Sequence, residues 1–341
     1  MSPSIPRGRS RFSFTLVIIV LAVALGLLWQ RTQGFADRPL QLDDNEHVLL
    51  VKPGDGFNAV LAKVRRLGIT QGNDLEWKAL ATMLQVAGHL QVGEYAVDAG
   101  MTPRQLLLRL GQGEVIQRKF TIVEGWNFRQ VRTAVQGNAQ LVDEIARLSD
   151  TEIMARLGRK GVHPEGRFLP ETYVFTRGAD ELSILSRAAE AMDRALAGAW
   201  ASRDRSLAFK SPDELLTLAS IVEKETGLAS ERPQIAGVFV RRLRLGMRLQ
   251  TDPTVIYGIG SAYDGNIRKA DLERDTPYNT YVRFGLPPTP IAMPGQAALE
   301  AAAHPADGDA LYFVAHGNGG HYFSADLAEH NAAVRKYQLK H

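Results

Sequence analysis

The chain has 341 residues, of which 45% are hydrophobic and 23% charged, and it contains no cysteine. At about 150 residues per domain this length predicts roughly two domains, and the composition excludes wholesale disorder. Without cysteine the chain has no disulfide, no thiolate nucleophile and no Cys-ligated zinc site. Forty basic and 37 acidic residues give a net charge of +3, and Arg7, Arg9 and Arg11 account for the excess. Because the sequence has no cluster of basic residues that would form a basic surface, nucleic-acid binding is not expected.

An uncharged run extends from Phe12 to Trp29. A membrane-spanning helix needs about 20 mostly apolar residues, with about 17 as the lower limit, so the run predicts a transmembrane helix over residues 12–29. The alternatives are a buried core helix and a cleaved signal peptide, although the run is long for a signal and has no small-residue cleavage site. The preceding arginines favour a cytoplasmic tail over residues 1–11. Residues 30–45 are polar and without periodicity, which predicts a linker.

A small α+β subdomain is predicted over residues 46–114. Its expected elements are a strand over 47–52, helices over 57–67 and 74–86, a strand over 90–97 and a helix that begins after Thr102. The order strand, helix, helix, strand resembles a LysM module, a class of domain that binds N-acetylglucosamine-containing glycans. The additional helix departs from the plain module, and a generic small α/β subdomain is the alternative.

A larger mixed α+β domain is predicted over residues 115–341. Its expected elements are a strand over 118–123, helical segments over 128–160 and 180–201, a helix over 211–226, strands over 311–315 and 320–323 joined by a glycine-rich hairpin turn, and a final helix from Asp326. The expected fold class is therefore α+β, with a single N-terminal transmembrane helix and two folded parts.

The helix over 211–226 has strong sequence signals for its start. Ser211 suits the N-cap position, Pro212 the first helical position, and Glu214 the third position of a capping box. Glu214 thus has a sufficient structural explanation.

Glu223 and Glu225 fall at opposite borders of the apolar face of this helix, about 160° apart. Burial raises the pKa of a carboxyl group, and a neutral glutamic acid can protonate a glycosidic oxygen; an ion pair with an arginine is the structural alternative. Because the two side chains diverge, they do not suit the facing carboxylates of a retaining glycosidase. The polar side is expected to hold Thr217, Ser220 and Lys224.

Two further segments combine the planar hydrogen-bonding groups and aromatic rings that suit a saccharide groove. They contribute Gln250, Thr251, Asp252 and Tyr257 from the first, and Asn279 and Tyr281 from the second. Glu165 and Glu171 flank a proline-containing stretch, which places them on a loop or at an edge. The alternatives are a simple turn at Asp252-Pro253 and tyrosines that pack in the core. The histidines lack the H-E-x-x-H spacing, so no metal site is expected.

These segments together resemble the YceG-like family of endolytic murein transglycosylases. The motifs that carry the resemblance are E-G-R-F-L-P-E-T-Y at 165–173, L-A-S-I-V-E-K-E-T at 218–226, L-Q-T-D-P-T-V-I-Y-G at 249–258, Y-N-T-Y at 278–281, and A-H-P at 303–305 with L-Y-F-V at 311–314. The resemblance extends from the apolar N-terminal segment to the C-terminus.

The resemblance implies a single-pass protein of the bacterial inner membrane, with a cytoplasmic N-terminus and a periplasmic catalytic part. Its expected activity is cleavage of the β-1,4 bond between N-acetylmuramic acid and N-acetylglucosamine in newly made glycan strands, which leaves 1,6-anhydro ends and terminates strand elongation. In the family the first Glu of the V-E-K-E run is the catalytic acid, which implies Glu223 as general acid and then base. The muramic acid 6-hydroxyl is the nucleophile, with the large effective molarity of an intramolecular group, so no cofactor or metal is expected.

The remaining candidate residues are expected to bind the sugar: Glu165, Glu171, Glu225, Gln250, Thr251, Asp252, Tyr257, Asn279 and Tyr281. Penicillin-binding proteins and glycan polymerases are candidate partners, because the expected substrate is a nascent strand. Two alternatives stay open. A hydrolytic muramidase would need a second carboxylate from Glu171, Glu225 or Asp252, and a non-catalytic membrane-anchored peptidoglycan-binding scaffold would not need Glu223.

Overall fold

A computed structural model describes residues 9–43, 45, 47–317 and 319–339. The chain divides into two compact units, Met1–Arg118 and Lys119–His341. Across the described residues the fold contains 14 helices and six strands, which form three two-stranded sheets. The predicted mixed α+β class is confirmed.

The first unit contains one long helix followed by a small α+β arrangement. Its elements are α1 (Arg9–Ala36), β1 (His47–Val51), α2 (Phe57–Arg66), α3 (Asp74–Met83), β2 (Gly93–Val97) and α4 (Pro103–Gln112). β1 and β2 pair in antiparallel fashion, with Leu49 opposite Tyr95, and α2 to α4 cover the sheet through a shared hydrophobic core. The strands and helices predicted for the small subdomain over residues 46–114 are therefore present, in the predicted order.

No helix within the described residues is long and apolar enough to cross a membrane. The prediction of a transmembrane helix over 12–29 is therefore wrong. The prediction of a single-pass inner-membrane protein, with a cytoplasmic N-terminus and a periplasmic catalytic part, depended on that helix and is corrected with it. Residues 1–8 of the predicted tail lie outside the described residues.

The C-terminal turns of α1 pack into the first unit. Phe35 and Ala36 are buried, and the ring of Phe35 meets Trp77 edge-on at 5.2 Å between centroids. Arg31 forms an ion pair with Glu76, with 2.7 Å between Nε and Oε1. The helix thus continues past Trp29 because its last turns have protein partners, and the segment predicted as a polar linker begins as helix.

The second unit surrounds a largely helical core. Its helices are α5 (Phe128–Gln136), α6 (Asp150–Arg156), α7 (Glu181–Ser202), α8 (Pro212–Glu225), α9 (Arg232–Arg244), α10 (Asp252–Ile259), α11 (Lys269–Glu273), α12 (Gln296–Ala303) and α13 (Leu327–Tyr337), with a short 3-10 helix at Gly260–Ala262. Strand β3 (Arg118–Thr121) pairs with β4 (Thr172–Phe175), and β5 (Tyr312–Ala315) pairs antiparallel with β6 (His321–Ser324). The predicted helical segment 128–160 is two separate helices. Asn318, in the predicted hairpin turn, lies outside the described residues.

α8 lies at the centre of this unit and packs against α7, α9, α10 and α12. It begins as predicted, because the Ser211 side chain accepts a hydrogen bond from the Glu214 N–H at 3.4 Å and Pro212 occupies the first turn. The predicted capping box is incomplete, since the Glu214 carboxylate accepts from the N–H of Lys210 at 2.7 Å instead.

Residues 215–222 of α8 are all buried, so the helix has no solvent-facing side in its middle. Thr217 and Ser220, predicted on the polar side, are buried as well. Their hydroxyls are satisfied locally, because Ser220 donates to the carbonyl of Thr217 at 2.7 Å and accepts from the N–H of Ile291 at 3.0 Å. Lys224 is exposed, as predicted. A helix surrounded by neighbours can bury hydroxyls that pair with backbone groups.

Candidate functional site

Glu223 lies in the last turn of α8, where the buried helix reaches the edge of the core. Its side chain is 4% exposed. Oε1 accepts a hydrogen bond from Nη2 of Arg232 at 3.1 Å, and Oε2 accepts from the backbone N–H of Gly295 at 2.9 Å. Arg232 opens α9 and Gly295 precedes α12, so two helices packed against α8 place hydrogen-bond donors on this carboxylate.

Burial raises the pKa of the Glu223 carboxyl above its ordinary value. The Gly295 N–H and the Arg232 guanidinium lower it and the charge of Glu124 raises it, with burial as the largest cause. A carboxyl group with a raised pKa holds its proton at higher pH, which is what general-acid catalysis requires. Glu223 can therefore donate a proton and then exist as a carboxylate stabilised by Arg232.

Two groups near Glu223 were not predicted from the sequence. Nη2 of Arg232 also lies 3.5 Å from Oε2 of Glu124, so one nitrogen faces two carboxylates. Glu124 follows β3 in an E-G-W segment, and Arg232 stands before a proline at the start of α9. An acid-glycine pair after a strand and an arginine at a helix start are common patterns, and neither points to residue 223.

A cavity of about 550 Å³ lies beside α5 and α10. Its wall includes Glu165, Tyr257, Lys224 and Gly125. Glu223 itself does not line this cavity. Its neighbour Lys224 and Gly125 do, and an added Cβ at Gly125 would lie 4.0 Å from Cγ of Glu223, so the cavity lies close to the candidate acid.

Glu165 and Tyr257, both predicted site residues, meet in this cavity. Glu165 is 3% exposed. Its Oε1 accepts from the N–H of Phe128 at 2.9 Å, and its Oε2 accepts from the hydroxyl of Tyr257 at 2.9 Å. Burial raises the pKa of Glu165 to about 7, although both hydrogen bonds act to lower it.

A second group of predicted residues forms around Glu225. The Thr251 hydroxyl donates to Oε1 of Glu225, and the Tyr281 hydroxyl donates to Oδ1 of Asp252 at 2.6 Å. Burial raises the pKa of Glu225 to about 7; the Thr251 hydrogen bond opposes this and the charge of Asp252 adds to it. These four side chains form a polar cluster beside the end of α8.

Asp252-Pro253 begins α10, so the alternative of a simple turn at this position is wrong. Proline has a fixed φ and no N–H, which suits the first turn of a helix as well as a turn. Gln250, just before, has a left-handed φ of 50°; its N–H donates to the carbonyl of Thr280 at 3.1 Å, and its side-chain oxygen lies 3.5 Å from Nη1 of Arg242. Gln250 is thus held by protein groups.

Asn279 and Glu171 lie in different surroundings. Asn279 is 1% exposed, and its amide nitrogen donates to the carbonyls of Asp271, Leu272 and Arg274, while its oxygen accepts from the N–H of Tyr281. It therefore fixes the loop that carries Tyr281. Glu171 is exposed beside β4 and lines a separate surface depression.

Within the described residues, no group of three or more His, Asp or Glu side chains could hold a metal ion.

Comparisons with known proteins agree in pointing to one family. The profile of the YceG-like family matches residues 49–336. An endolytic murein transglycosylase of Bacillus subtilis (strain 168) is 35% identical over 268 residues, which cover 74% of this chain and 74% of that protein.

More distant relatives share the same description. An endolytic murein transglycosylase of Streptococcus pneumoniae serotype 2 is 29% identical over 285 residues; the match covers 73% of this chain but only 51% of that longer protein. A crystal structure of a YceG-like protein from Listeria monocytogenes matches with a TM-score of 0.56 and 28% identity, covering 85% of this chain and 99% of that one.

Proposed function

The chain belongs to the YceG-like family, and we propose that it is an endolytic lytic transglycosylase of peptidoglycan in which Glu223 is the catalytic acid. The observation that carries the residue assignment is the state of Glu223 itself. Its carboxyl group is buried and has a raised pKa, yet both oxygens have hydrogen-bond donors. Such a group can hold a proton before the reaction and a negative charge after it.

The proposed reaction needs one carboxyl group. Glu223 donates its proton to the glycosidic oxygen as the bond from C1 of N-acetylmuramic acid to that oxygen breaks, and N-acetylglucosamine leaves with a free 4-hydroxyl. The 6-hydroxyl of the same muramic acid forms the new bond to C1, and the Glu223 carboxylate takes its proton. Glu223 is thereby regenerated, no water is consumed, and the ring ends as a 1,6-anhydro sugar.

The two polar groups near α8 are the proposed sugar-binding surface. Glu165 and Tyr257 face the cavity next to Glu223, and a cavity of this size with a few fixed polar groups suits a sugar ring. Asp252 and Tyr281 extend the polar region beyond the end of α8, together with the pair that Glu225 forms with the buried Thr251. We assign Gln250 and Asn279 to holding these residues in place, since their side chains bond mainly to protein groups. Glu171 lies at a separate surface depression, and its role in sugar binding stays a prediction.

Residues 46–114, within the first unit, are proposed to be a LysM-like, glycan-binding subdomain, and residues 115–341 the catalytic domain. The order of β1, α2, α3 and β2, with antiparallel pairing of the two strands, supports the first assignment. A binding experiment tests the glycan-binding assignment. The full-length Glu223→Gln protein should be retained on purified peptidoglycan, and N-acetylglucosamine oligomers should compete with this retention. Penicillin-binding proteins and glycan polymerases are proposed as partners, and the only basis for this proposal is the expected substrate, a nascent glycan strand.

The test of the function is turnover of uncrosslinked glycan strands by the full chain and by Glu223→Gln. General acid–base groups typically contribute about 10²–10⁴-fold to rate, so we expect the variant to lose at least about 100-fold. Glu214→Gln is the matched control, because it makes the same change on the same helix at a carboxylate bonded to Lys210. Near-normal turnover by Glu223→Gln would refute the assignment, and a wild-type protein that binds strands without cutting them would favour a scaffold.

A further inference from the structure

One guanidinium nitrogen in the Glu223 site is shared by two carboxylates. Nη2 of Arg232 lies 3.1 Å from Oε1 of Glu223 and 3.5 Å from Oε2 of Glu124. The Glu223 and Arg232 side chains are 4% and 10% exposed, whereas that of Glu124 is 48% exposed. The arginine therefore connects a buried acid with one that reaches solvent.

Gly295 accommodates both carboxylates. Its N–H donates to Oε2 of Glu223 at 2.9 Å, and a Cβ built on it would lie 2.1 Å from Oε1 of Glu124. Glu124 thus occupies the space that a side chain at 295 would fill. The backbone of Gly295 has a φ of −74°, which any residue adopts, so alanine fits the backbone there but not the present position of Glu124.

The backbone around Glu124 is fixed from two directions. The N–H of Gly125 donates to the carbonyl of Met293 at 2.9 Å, and the N–H of Met293 donates to the carbonyl of Trp126 at 2.7 Å. The ammonium of Lys224 donates to the carbonyl of Gly125 at 3.3 Å. These bonds join the segment of Glu124 to the segment of Gly295 and to the end of α8, so the approach of Glu124 to Arg232 is built into the fold.

We propose that Glu124 is a positioning residue for the acid of the lytic site: it holds Arg232 by a second ion pair, so that the guanidinium is shared and does not fix Glu223 as a carboxylate. The proposal depends on the function proposed above. A general acid beside an unshared arginine would lose its proton too readily, whereas an acid without the arginine would be left after donating it as a buried anion with the Gly295 N–H but no cation to stabilise it. Sharing one cation between two acids serves both stages of the reaction.

The electrostatic surroundings agree with this role. Burial raises the pKa of Glu223, Glu124 raises it further, and Arg232 and the Gly295 N–H lower it. Of the neighbouring elements in the described chain, α9 contributes Arg232 and the segment before α5 contributes Glu124. The Tyr257 hydroxyl of α10 is bonded to Glu165, and Glu300 of α12 pairs with His304.

α7 shares a hydrophobic core with α8, to which it contributes Met192, Leu196 and Ala199. Lys224, the next residue after Glu223, bonds to the Gly125 carbonyl. Glu124 and Arg232 are therefore the two side-chain charges through which substitution should move the titration of Glu223.

The experiment is the pH dependence of kcat/KM on uncrosslinked glycan strands, measured with the full chain. The alkaline limb of this profile reports the loss of the proton from the free enzyme's acid. Glu124→Gln should move this limb to lower pH by about one unit, because it removes a charge that raises the pKa of Glu223 and leaves Arg232 paired with Glu223 alone. Arg232→Gln should move it to higher pH.

Gly295→Ala gives an independent perturbation that keeps every ionisable side chain. Its methyl group must displace the Glu124 carboxylate, so we expect a shift in the same direction as Glu124→Gln. Asp193→Asn is the matched control, because it removes a carboxylate from another arginine pair, with Arg159 at 2.5 Å, and should leave the limb in place. Circular dichroism and thermal unfolding establish that each variant is folded.

An unchanged alkaline limb in folded Glu124→Gln would overturn the proposal, even if the rate fell at every pH, because a uniform loss indicates a structural role only. A shift to higher pH would overturn it as well. Near-normal turnover by Glu223→Gln would instead overturn the proposed function, so the two failures are distinguishable.

Discussion

Replacement of Glu165 by glutamine should make the protein less sensitive to pH. Glu165 is 3% exposed, and its oxygens accept from the Phe128 N–H and the Tyr257 hydroxyl. A glutamine can keep both contacts, with its oxygen toward Phe128 and its amide donating to the tyrosine oxygen. The substitution therefore removes the ionisation and leaves the packing intact.

The expected magnitude follows from the pKa of Glu165, which burial raises from 4.5 to about 7. At about 1.4 kcal/mol per pH unit, this difference corresponds to about 3 kcal/mol. Since the folded-state pKa is the higher one, the folded protein binds more protons between these two values, and the free energy of unfolding falls as pH rises through them. The stability of Glu165→Gln relative to wild type should thus increase by about 3 kcal/mol from about pH 4.5 to about pH 7.5.

The assay is urea unfolding of both proteins across this pH range, followed by circular dichroism. Glu171→Gln is the control for a change from carboxylate to amide, since it removes an exposed carboxylate from the same segment. The pH-dependent gain of Glu165→Gln must exceed that of the control. A constant difference between Glu165→Gln and wild type across the range would refute the reasoning.

Three further substitutions test the packing. Ser220→Ala should cost about 1–3 kcal/mol in urea unfolding, because the buried N–H of Ile291 loses its acceptor. Asn279→Ala should cost about 2–4 kcal/mol and expose its loop to limited proteolysis, because three carbonyls lose a shared donor. Phe35→Ala should lower the thermal unfolding temperature of the first unit through a cost of about 3–5 kcal/mol, since it removes the ring packed on Trp77.

Each of these has an exposed counterpart in the chain. Ser206→Ala, Asn266→Ala and Leu75→Ala make comparable truncations at exposed positions and should change stability by no more than about 0.5 kcal/mol. Equal effects at Ser220 and Ser206, no new proteolytic cleavage in Asn279→Ala, or an unchanged first transition in Phe35→Ala would each contradict the corresponding contact.

Local sequence signals predicted much of the secondary structure, because they describe interactions between near neighbours. Ser211 and Pro212 mark the start of α8 without reference to the rest of the fold. The same local patterns failed where one pattern serves two structures. Asp252-Pro253 suits a turn and a helix start equally, and only packing against α8 decides between them.

The burial of Ser220 and the continuation of α1 could not be predicted for a related reason. Both depend on partners from distant parts of the chain, Ile291 in one case and Trp77 in the other. The helical wheel did predict that Glu223 borders a buried face. The helical wheel could not predict that Glu124 and Arg232 lie beside Glu223. The contact between the two glutamates and the arginine forms only when separate segments of the chain meet in the fold.

The most direct test of the account is mass spectrometry of peptidoglycan strands digested by this protein and by Glu223→Gln. The account predicts internal cleavage products with 1,6-anhydro ends, each lighter by one water than the corresponding hydrolytic product, and their absence with the variant. Products at the hydrated mass would contradict the lytic mechanism and require a second carboxylate. Anhydro products formed equally by Glu223→Gln would contradict the role of Glu223.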